Sequence, residues 1–502
     1  MMKTIFYVIF CAFIFTTGYA RFVDANAEKS SEIVTSGEYH INVFDKFVSN
    51  FSARNLLGTH SLWWGYQKDL VSPITNKSYP SVLSFFYRTK GVIRYGGGAN
   101  EIPWEACTGP VSSRKKVKAV SWAGPMQCRF GIEEYLSVVR ASDGKESWLI
   151  ANIAGTDYEL LPMNQMVTTI GQAALYMKRS AVNLKRYWEL GNELERGRYG
   201  WSPEKIARRA SAAGVEISKI DTNARLILPL IEYDANKQPV RKVFNERLLR
   251  SMSHEVNGIS LHLYYDGAPG GPSIPTQIRT VVESATLFRE INGRQGEVWV
   301  TEHGRWPEGD TRSNNWEAQW YKTNDMDGVM ATADFLIALA QVEDVAGAML
   351  HGLRAGPWNV FEKSNHEPYL TGVGQLLDLF SEASSGNRLE TRTVSLNQSK
   401  YKGGYDMRAS AFVSPDNKII SLWVVNRSPV AITSQLTMPR HAVAAKLIKG
   451  SSLLCPLVDG RCSGDQFKVF QVNPEQVKYN QDKLKLTLPS RSVSVFQFGY
   501  MQ

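Results

Sequence analysis

The sequence predicts an α/β protein, a (β/α)8 TIM barrel with a C-terminal antiparallel β-sandwich. Between residues 54 and 355, eight short apolar segments alternate with longer segments of helical periodicity, which indicates parallel strands joined by crossover helices. Eight such units in roughly 300 residues favour a closed barrel, and an open doubly wound sheet is the alternative. After residue 380, apolar and polar residues alternate between turn signals, which is typical of antiparallel strands.

Each barrel strand is predicted from an apolar run that leads into a loop rich in glycine, tryptophan, asparagine or charge. The eight candidate strands are residues 55–64, 91–97, 147–155, 185–193, 224–232, 258–265, 297–304 and 345–353. Helices are expected between them, among others at 131–142, 166–180, 202–218 and 328–341. The segment EYHINVF at 38–44 reads as a further strand, and we expect it to pair with the C-terminal sheet.

The first residues predict an exported protein. Lys3 precedes an apolar run from Ile5 to Phe15 and then small residues, the pattern of a signal peptide cleaved after Ala20 or Ala27. The run is too short for a stable membrane anchor, so we expect a secreted or periplasmic protein. The predicted organisation is a leader at 1–27, an N-terminal segment at 28–50, the catalytic barrel at 51–380 and the sandwich at 381–502.

Four cysteines remain after the leader, and an even number in an exported chain predicts disulfides. We expect the pairs Cys107–Cys128 and Cys455–Cys462, because the members of each pair are close in sequence. Four unpaired buried thiols are the alternative. A zinc site is not expected, since no CxxC or HxxxH spacing accompanies these cysteines.

The net charge of +9 does not by itself identify a partner. It is spread along 502 residues, and only RKKVK at 114–118 is clustered, which a solvated loop explains. No nucleic-acid-binding motif accompanies the charge, so no nucleic-acid partner is expected.

Polar and aromatic residues recur where the predicted strands end. In a TIM barrel these ends meet at one rim, which carries the functional site. Five tryptophans lie in or just after such positions, and we expect two of them to contact substrate, with Trp306 and Trp358 as the candidates. The polar strand-end residues are Arg94, Asn152, Asn192, Glu193, His262, Tyr264, Glu302, His303 and His351, and the other tryptophans are Trp63, Trp64 and Trp104.

Glu193 and Glu302 form a candidate carboxylate pair across the barrel mouth. Two carboxylates are the minimum equipment for cleaving a glycosidic bond. One must be protonated and the other ionised, so we expect a raised pKa for Glu193. Arg94 and the hydroxyl of Tyr264 are expected to hold Glu302 as an anion. This chemistry requires no metal ion or organic cofactor.

Several of these residues also fit simpler structural roles. Glu189 is expected to be a flanking salt-bridge partner and Glu195 a carboxylate at the start of a helix. Asn192 alone could cap the segment that follows it, and His262 alone fits a hydrogen-bonded core histidine. Their combination on successive strand ends favours a catalytic site.

The strand-end motifs resemble those of the retaining glycoside hydrolases of clan A. ELGNE at 189–193 is similar to the fourth-strand motif and WVTEHG at 299–304 to the seventh-strand motif. RYGGG at 94–98 and SLHLY at 260–264 resemble motifs whose Arg and Tyr support the nucleophile. The resemblance implies that Glu193 is the acid/base, Glu302 the nucleophile and Asn192 the partner of the sugar 2-hydroxyl.

Within clan A, the chain most resembles the family 51 α-L-arabinofuranosidases, with the heparanase-like β-glucuronidases of family 79 as the nearest competitor. The family 51 resemblance lies in FGIEEYL at 130–136, YWELGNE at 187–193 and LTLPSRSVSVF at 486–496. It implies a secreted hydrolase that cleaves a polysaccharide or oligosaccharide by double displacement. The alternatives are a hydrolase of an acidic polysaccharide, of β-glucuronidase or heparanase type, and a non-catalytic carbohydrate-binding protein on an inactive barrel.

Overall fold

The computed structural model describes residues 38–96, 104–117, 124–155, 160–196, 199–232, 238–267, 272–308, 316–384, 386–396, 405–442, 445–457, 461–480 and 483–500. The predicted leader at 1–27 lies outside the described residues. Within the ranges that are described, none of the helices combines the length and the apolar character that crossing a membrane requires.

Eight parallel strands close into a barrel in chain order. The eighth strand pairs with the first, with Met349 opposite Gly58 and Leu350 opposite Thr59. The predicted barrel is therefore confirmed, and the open sheet is wrong. From first to eighth, the barrel strands are Gly58–Ser61, Ile93–Tyr95, Glu146–Ile150, Lys185–Glu189, Arg225–Pro229, Gly258–Tyr265, Glu297–Arg305 and Val345–Leu350.

Helices follow the strands and pack around the barrel, because each has an apolar face that must be buried. In the described ranges they are Trp63–Asp69, Pro80–Thr89, Ile132–Ala141, Met163–Ser180, Pro203–Ile220, Gln238–Arg250, Ile274–Asn292, Met326–Leu339 and Gly372–Ser381. The first strand is shorter than predicted, since Ala53–Leu57 forms a 3-10 turn and the chain is already helical from Trp63.

The helix Met326–Leu339 is buried at every residue except Asp327, as expected for a helix that is apolar on nearly all sides. On one side it packs against the barrel, and on the other the C-terminal sheet covers it. Its buried Asp334 pairs with Arg408 and Arg427 of the sheet. A charge this deep is tolerated only when it is paired.

Apart from three short two-stranded pairs, the remaining described strands form one ten-stranded sheet that is antiparallel except for a single pairing. Tyr39–Ser49, which precedes the barrel in the chain, lies inside this sheet, antiparallel to Asn387–Val394 and parallel to Ile432–Thr437. The sheet encloses an apolar core of its own. The other strands are Met407–Val413, Ile419–Asn426, Lys446–Leu454, Lys468–Gln471, Val477–Asn480, Lys483–Leu488 and Ser492–Gly499.

Both predicted disulfides are present, Cys107–Cys128 and Cys455–Cys462. The first links two parts of the long loop between the second strand and helix Ile132–Ala141.

In the same loop, Arg114 is buried and bonded to Glu133 and Glu134. The basic cluster predicted at 114–118 is thus only partly a solvated loop.

Removing the longer disulfide is expected to destabilise the protein more than removing the shorter one. The bonds span sequence separations of 21 and 7 residues, and chain entropy assigns them about 3 and about 2 kcal/mol. Urea unfolding of Cys107→Ala/Cys128→Ala and of Cys455→Ala/Cys462→Ala measures both losses. A larger loss from the second pair would contradict this expectation.

Candidate active site

The turn after the fourth strand presents Glu193 at the barrel mouth. Gly191 has φ 101° and Glu193 has φ 49°, so the backbone enters the left-handed region twice within three residues. Such a conformation is costly for a non-glycine residue and persists where its surroundings enforce it. Here the backbone N–H of Arg196 donates to the carbonyl of Glu193, which helps to hold the turn.

An extra residue in the seventh strand directs Glu302 into the mouth. Val300 lies opposite Leu261 of the sixth strand, whereas Glu302 lies opposite the very next residue, His262. This is a β-bulge at Thr301, a device that often re-aims side chains beside active sites. The hydroxyl of Thr301 donates to Glu189 at 2.9 Å.

Arg94, on the second strand, lies at the bottom of the site and bonds to residues of the fourth and seventh strands. The side chain is fully buried. Its Nε lies 2.5 Å from Glu189, its Nη1 2.8 Å from Glu302 Oε1 and its Nη2 2.6 Å from Asn192 Oδ1. Glu189 also accepts from the hydroxyl of Ser260. Glu189 is therefore the salt-bridge partner that the sequence predicted, and it fixes the guanidinium that holds Glu302.

The carboxylate of Glu302 is surrounded by hydrogen-bond donors. Arg94 donates to Oε1, while Tyr264 donates its hydroxyl to Oε2 at 2.8 Å. His351 Nδ1 is 3.1 Å and His262 Nδ1 3.4 Å from Oε2. Burial alone would raise the pKa of Glu302, but the neighbouring His262 and His351 outweigh it and hold the pKa well below its ordinary value. Glu302 is therefore ionised.

His60, on the first strand, also contacts this group but was not predicted from the sequence. Its Nε2 donates to the carbonyl of Gly96 at 2.6 Å, so its Nδ1 carries a lone pair toward Arg94. Burial and the charge of Arg94 keep the pKa of His60 well below its ordinary value. His60 is therefore neutral. Its Nδ1 lies 3.3 Å from Glu302, but the two do not form an ion pair, because Arg94 Nη1 contacts both of them.

Glu193 is ionised in the free protein, contrary to the raised pKa that the sequence predicted. Burial does act to raise its pKa, but a hydrogen bond from His262 and the charge of Arg196 outweigh burial, and the pKa is lowered. His262 Nδ1 and Arg196 Nη1 each lie 2.8 Å from Glu193 Oε1. The pKa of His262 is raised by the adjacent Glu302 and Glu193, against the effect of its burial. The proton of this pair therefore lies on His262.

The two carboxylates are close enough to act on a single bond. One oxygen of Glu193, one oxygen of Glu302 and a ring nitrogen of His262 lie within 4.8 Å of one another. A retaining pair is separated by about 5–5.5 Å and an inverting pair by about 6.5–9.5 Å. The separation of these two oxygens is shorter than the range of an inverting pair.

Two clusters at the mouth contain ligand types that metal ions accept. They are His60, Glu302 and His351, and Glu193, His262 and Glu302. Both clusters share Glu302, whose Oε1 lies 2.8 Å from the guanidinium of Arg94. A fixed cation at that distance opposes the binding of a second cation, so the donor set suits a pair of reacting carboxylates better than a metal centre.

Trp306 and Trp358 lie together beside the nucleophile candidate. Their ring centroids are 5.4 Å apart, and those of Tyr264 and Trp358 are 4.5 Å apart. Both tryptophans are half-buried, so each retains some exposed surface. Trp63 is fully buried in the core and cannot contact substrate.

Some predicted rim residues do not join the carboxylate pair. Asn152 bonds to the backbone of its own loop, at Ala154 and Gly155. His303 is buried against Tyr265, and burial lowers its pKa to about 3. Glu195 pairs with Arg196 and does not start a helix, because the next helix begins at Pro203 with Ser202 as its cap.

The fold and this rim define a TIM barrel that holds a close pair of carboxylates at its C-terminal face. No protein-family model and no curated protein sequence matches the chain. Solved structures similar to it include GH51 α-L-arabinofuranosidases from Thermotoga petrophila RKU-1 (17% identity, TM-score 0.72) and Bifidobacterium longum (15% identity, TM-score 0.75), each covering 92% of this chain and 100% of its own.

A family 44 xyloglucanase from Paenibacillus polymyxa is also similar, at 12% identity and a TM-score of 0.58 over 92% of this chain and all of its own. At these identities the likeness is one of fold. The fold is the one that the sequence predicted, namely a (β/α)8 barrel followed by an antiparallel-rich sheet.

Proposed function

We propose that the protein is a retaining glycoside hydrolase that acts on a neutral, arabinofuranoside-like sugar. The observation that carries this proposal is the pair Glu193 and Glu302, with oxygens within 4.8 Å of each other in different surroundings. Glu302 is held as an anion by Arg94, Tyr264 and His351, as a nucleophile requires. Glu193 shares a proton with His262, as an acid/base requires.

In the first step, an oxygen of Glu302 attacks the anomeric carbon while the bond to the leaving oxygen breaks. Glu193 gives a proton to that oxygen, and His262, 2.8 Å away, is the source of that proton. In the second step, water gives a proton to Glu193 and attacks the same carbon, and the bond to Glu302 breaks. Two inversions at one carbon amount to retention.

Asn192 is assigned to the sugar ring bound at the nucleophile, where it would bind the 2-hydroxyl. Its Oδ1 accepts from Arg94, which fixes the orientation of the amide and directs its NH2 donors elsewhere. Trp306 and Trp358 are assigned to stacking on sugar rings, since both are half-buried and lie beside Tyr264, which contacts Glu302.

The charges around the pair favour a neutral sugar over a uronic acid. Recognition of a uronate calls for a guanidinium or ammonium group that can bind its carboxylate. Among the residues that the structure describes, Arg94 and Arg196 are the arginines that contact the carboxylate pair, and each is already bonded to two or more glutamates. This observation weighs against the heparanase-like alternative.

The test is hydrolysis of a panel of 4-nitrophenyl glycosides that contains the α-L-arabinofuranoside, the β-D-xylopyranoside and the β-D-glucuronide. Proton NMR of the first product then gives its anomeric configuration. We expect hydrolysis of the arabinofuranoside and release of the α-anomer first. Preferred cleavage of the glucuronide would support the acidic-substrate alternative, first release of the β-anomer would contradict retention, and no cleavage at all would contradict the proposal.

The dependence of kcat/KM on pH should be bell-shaped. Glu302 has a pKa well below its ordinary 4.5, so activity should be lost only as the pH falls below 4.5 and the nucleophile becomes protonated. His262 has a pKa above its ordinary 6.5, so the shared proton should be lost, and activity with it, only as the pH rises above 6.5. Initial rates on an arabinofuranosyl oligosaccharide check both limbs, and an alkaline limb below pH 6.5 would contradict the assignment.

A further inference from the structure

Arg196 is the centre of a charged cluster beside Glu193. Its three guanidinium nitrogens each contact a different carboxylate, Nη1 Glu193 at 2.8 Å, Nη2 Glu232 at 2.5 Å and Nε Glu195 at 3.1 Å. Arg241 holds Glu232 from the other side, at 3.1 Å. Arg196 therefore ties the turn after the fourth strand to the loop after the fifth.

A guanidinium held at all three nitrogens is fixed in space, because it has a rigid planar fork of donors. Glu195 and Glu232 determine where Arg196 lies, and Arg196 in turn determines where the carboxyl of Glu193 points. Arg196 binds Glu193 through the backbone as well, since its N–H donates to the Glu193 carbonyl at 3.2 Å. Both contacts act on a residue with left-handed φ, a conformation that requires external support.

This inference rests on the function proposed above. We propose that Arg196 is the positioning residue of the acid/base and fixes the orientation of the Glu193 carboxyl. Its charge also keeps the shared proton on His262 until a leaving group is bound. Among the described residues, the charged and titratable groups around Glu193 are His262 at 2.8 Å, Arg196 at 2.8 Å, the carboxylates of Glu302 and Glu195, and the hydroxyl of Tyr264. With Arg196 present, the two cations favour the ionised carboxyl. Without it, Glu302 and burial oppose His262 alone.

The cluster makes predictions of opposite sign for two substitutions. Arg196→Gln removes a positive charge and should raise the pKa of Glu193 by about one unit or more, the effect of losing one charge at contact distance. Glu232→Gln removes a carboxylate that competes for Arg196 and should lower that pKa. Arg196→Lys keeps the charge but loses the three-way fork, so it should preserve most of the pKa while lowering kcat.

The decisive experiment titrates Glu193 directly, without substrate. Carbon-13 NMR of protein labelled at the glutamate carboxyl carbons follows each side chain with pH, and the signal that is missing from Glu193→Gln identifies residue 193. Arg247→Gln is the matched control, because Arg247 is an exposed arginine that pairs with Glu204; this variant should leave the titration unchanged. Thermal melts establish that every variant is folded.

The same variants are then assayed on an arabinofuranosyl oligosaccharide, where Arg196→Gln should move the alkaline limb of kcat/KM upward together with the titration. An unchanged titration in Arg196→Gln would overturn the inference, and so would shifts of the same sign in Arg196→Gln and Glu232→Gln. If the titration shifts as expected but no glycoside is cleaved, the proposed function fails and the assignment of Arg196 to the charge of Glu193 survives.

Discussion

Glu302→Gln should abolish turnover while leaving the protein folded. Glutamine keeps the size and the hydrogen-bond acceptor of the side chain but cannot form the covalent glycosyl intermediate. Removal of an essential nucleophile in other hydrolases costs on the order of 10⁴- to 10⁶-fold in kcat, and a loss of that size is expected on the arabinofuranoside. The amide also leaves Arg94 and the histidines beside a neutral group, so a modest change in stability is expected as well.

Glu297→Gln is the matched control for this substitution. Glu297 lies on the same strand but at its opposite end, where it pairs with Arg225, and the opposite face of a TIM barrel serves stability rather than chemistry. Glu297→Gln should lower the melting temperature and keep kcat within a few-fold. Turnover by Glu302→Gln within tenfold of the unsubstituted protein would instead favour the non-catalytic carbohydrate-binding alternative.

Glu193→Gln should produce a loss that depends on the leaving group. General acid catalysis contributes about 10²- to 10⁴-fold, and this contribution is needed when the departing group is a sugar alkoxide. A 4-nitrophenolate leaves without a proton, so its release should be much less affected. The substitution also removes the base of the second step, so the glycosyl intermediate should accumulate on the aryl substrate.

Burst kinetics on the aryl glycoside and steady-state kinetics on an oligosaccharide measure these two effects separately. The expected result is a fast burst of 4-nitrophenol followed by a slow steady state, with oligosaccharide cleavage strongly impaired. An equal loss on both substrates without a burst would assign Glu193 a positioning role instead.

The barrel could be predicted because its signals are local. Each strand is an apolar run that ends in glycine or polar residues, and the parallel order follows from the alternation with helices. Where a boundary was wrong, as at Trp63, the apolar run continued from the strand into a buried helix, and periodicity does not separate the two over a few residues. The place of Tyr39–Ser49 in the C-terminal sheet followed from its alternating pattern and its isolation before the barrel.

The ionisation of the site was harder to predict, because it depends on residues that are distant in sequence. Burial at a strand end indicated a raised pKa for Glu193, yet His262 and Arg196 converge on its oxygen only in the folded protein. His60 was missed for the same reason, since a histidine inside an apolar strand resembles a core residue until its carbonyl partner, Gly96, is known. Glu189 was predicted to be a salt-bridge partner, but its partner, Arg94, is 95 residues away in sequence and was not predicted.

The position of Tyr39–Ser49 couples the beginning of the chain to its end. During synthesis this segment emerges before the barrel, yet both of its neighbours in the sheet, Asn387–Val394 and Ile432–Thr437, emerge about 350 residues later or more. Until then its backbone amides have no strand to pair with, so a ribosome-bound chain exposes an aggregation-prone edge. Expression of a chain truncated after residue 380 should therefore yield insoluble material, because Tyr39–Ser49 would have no strand to pair with.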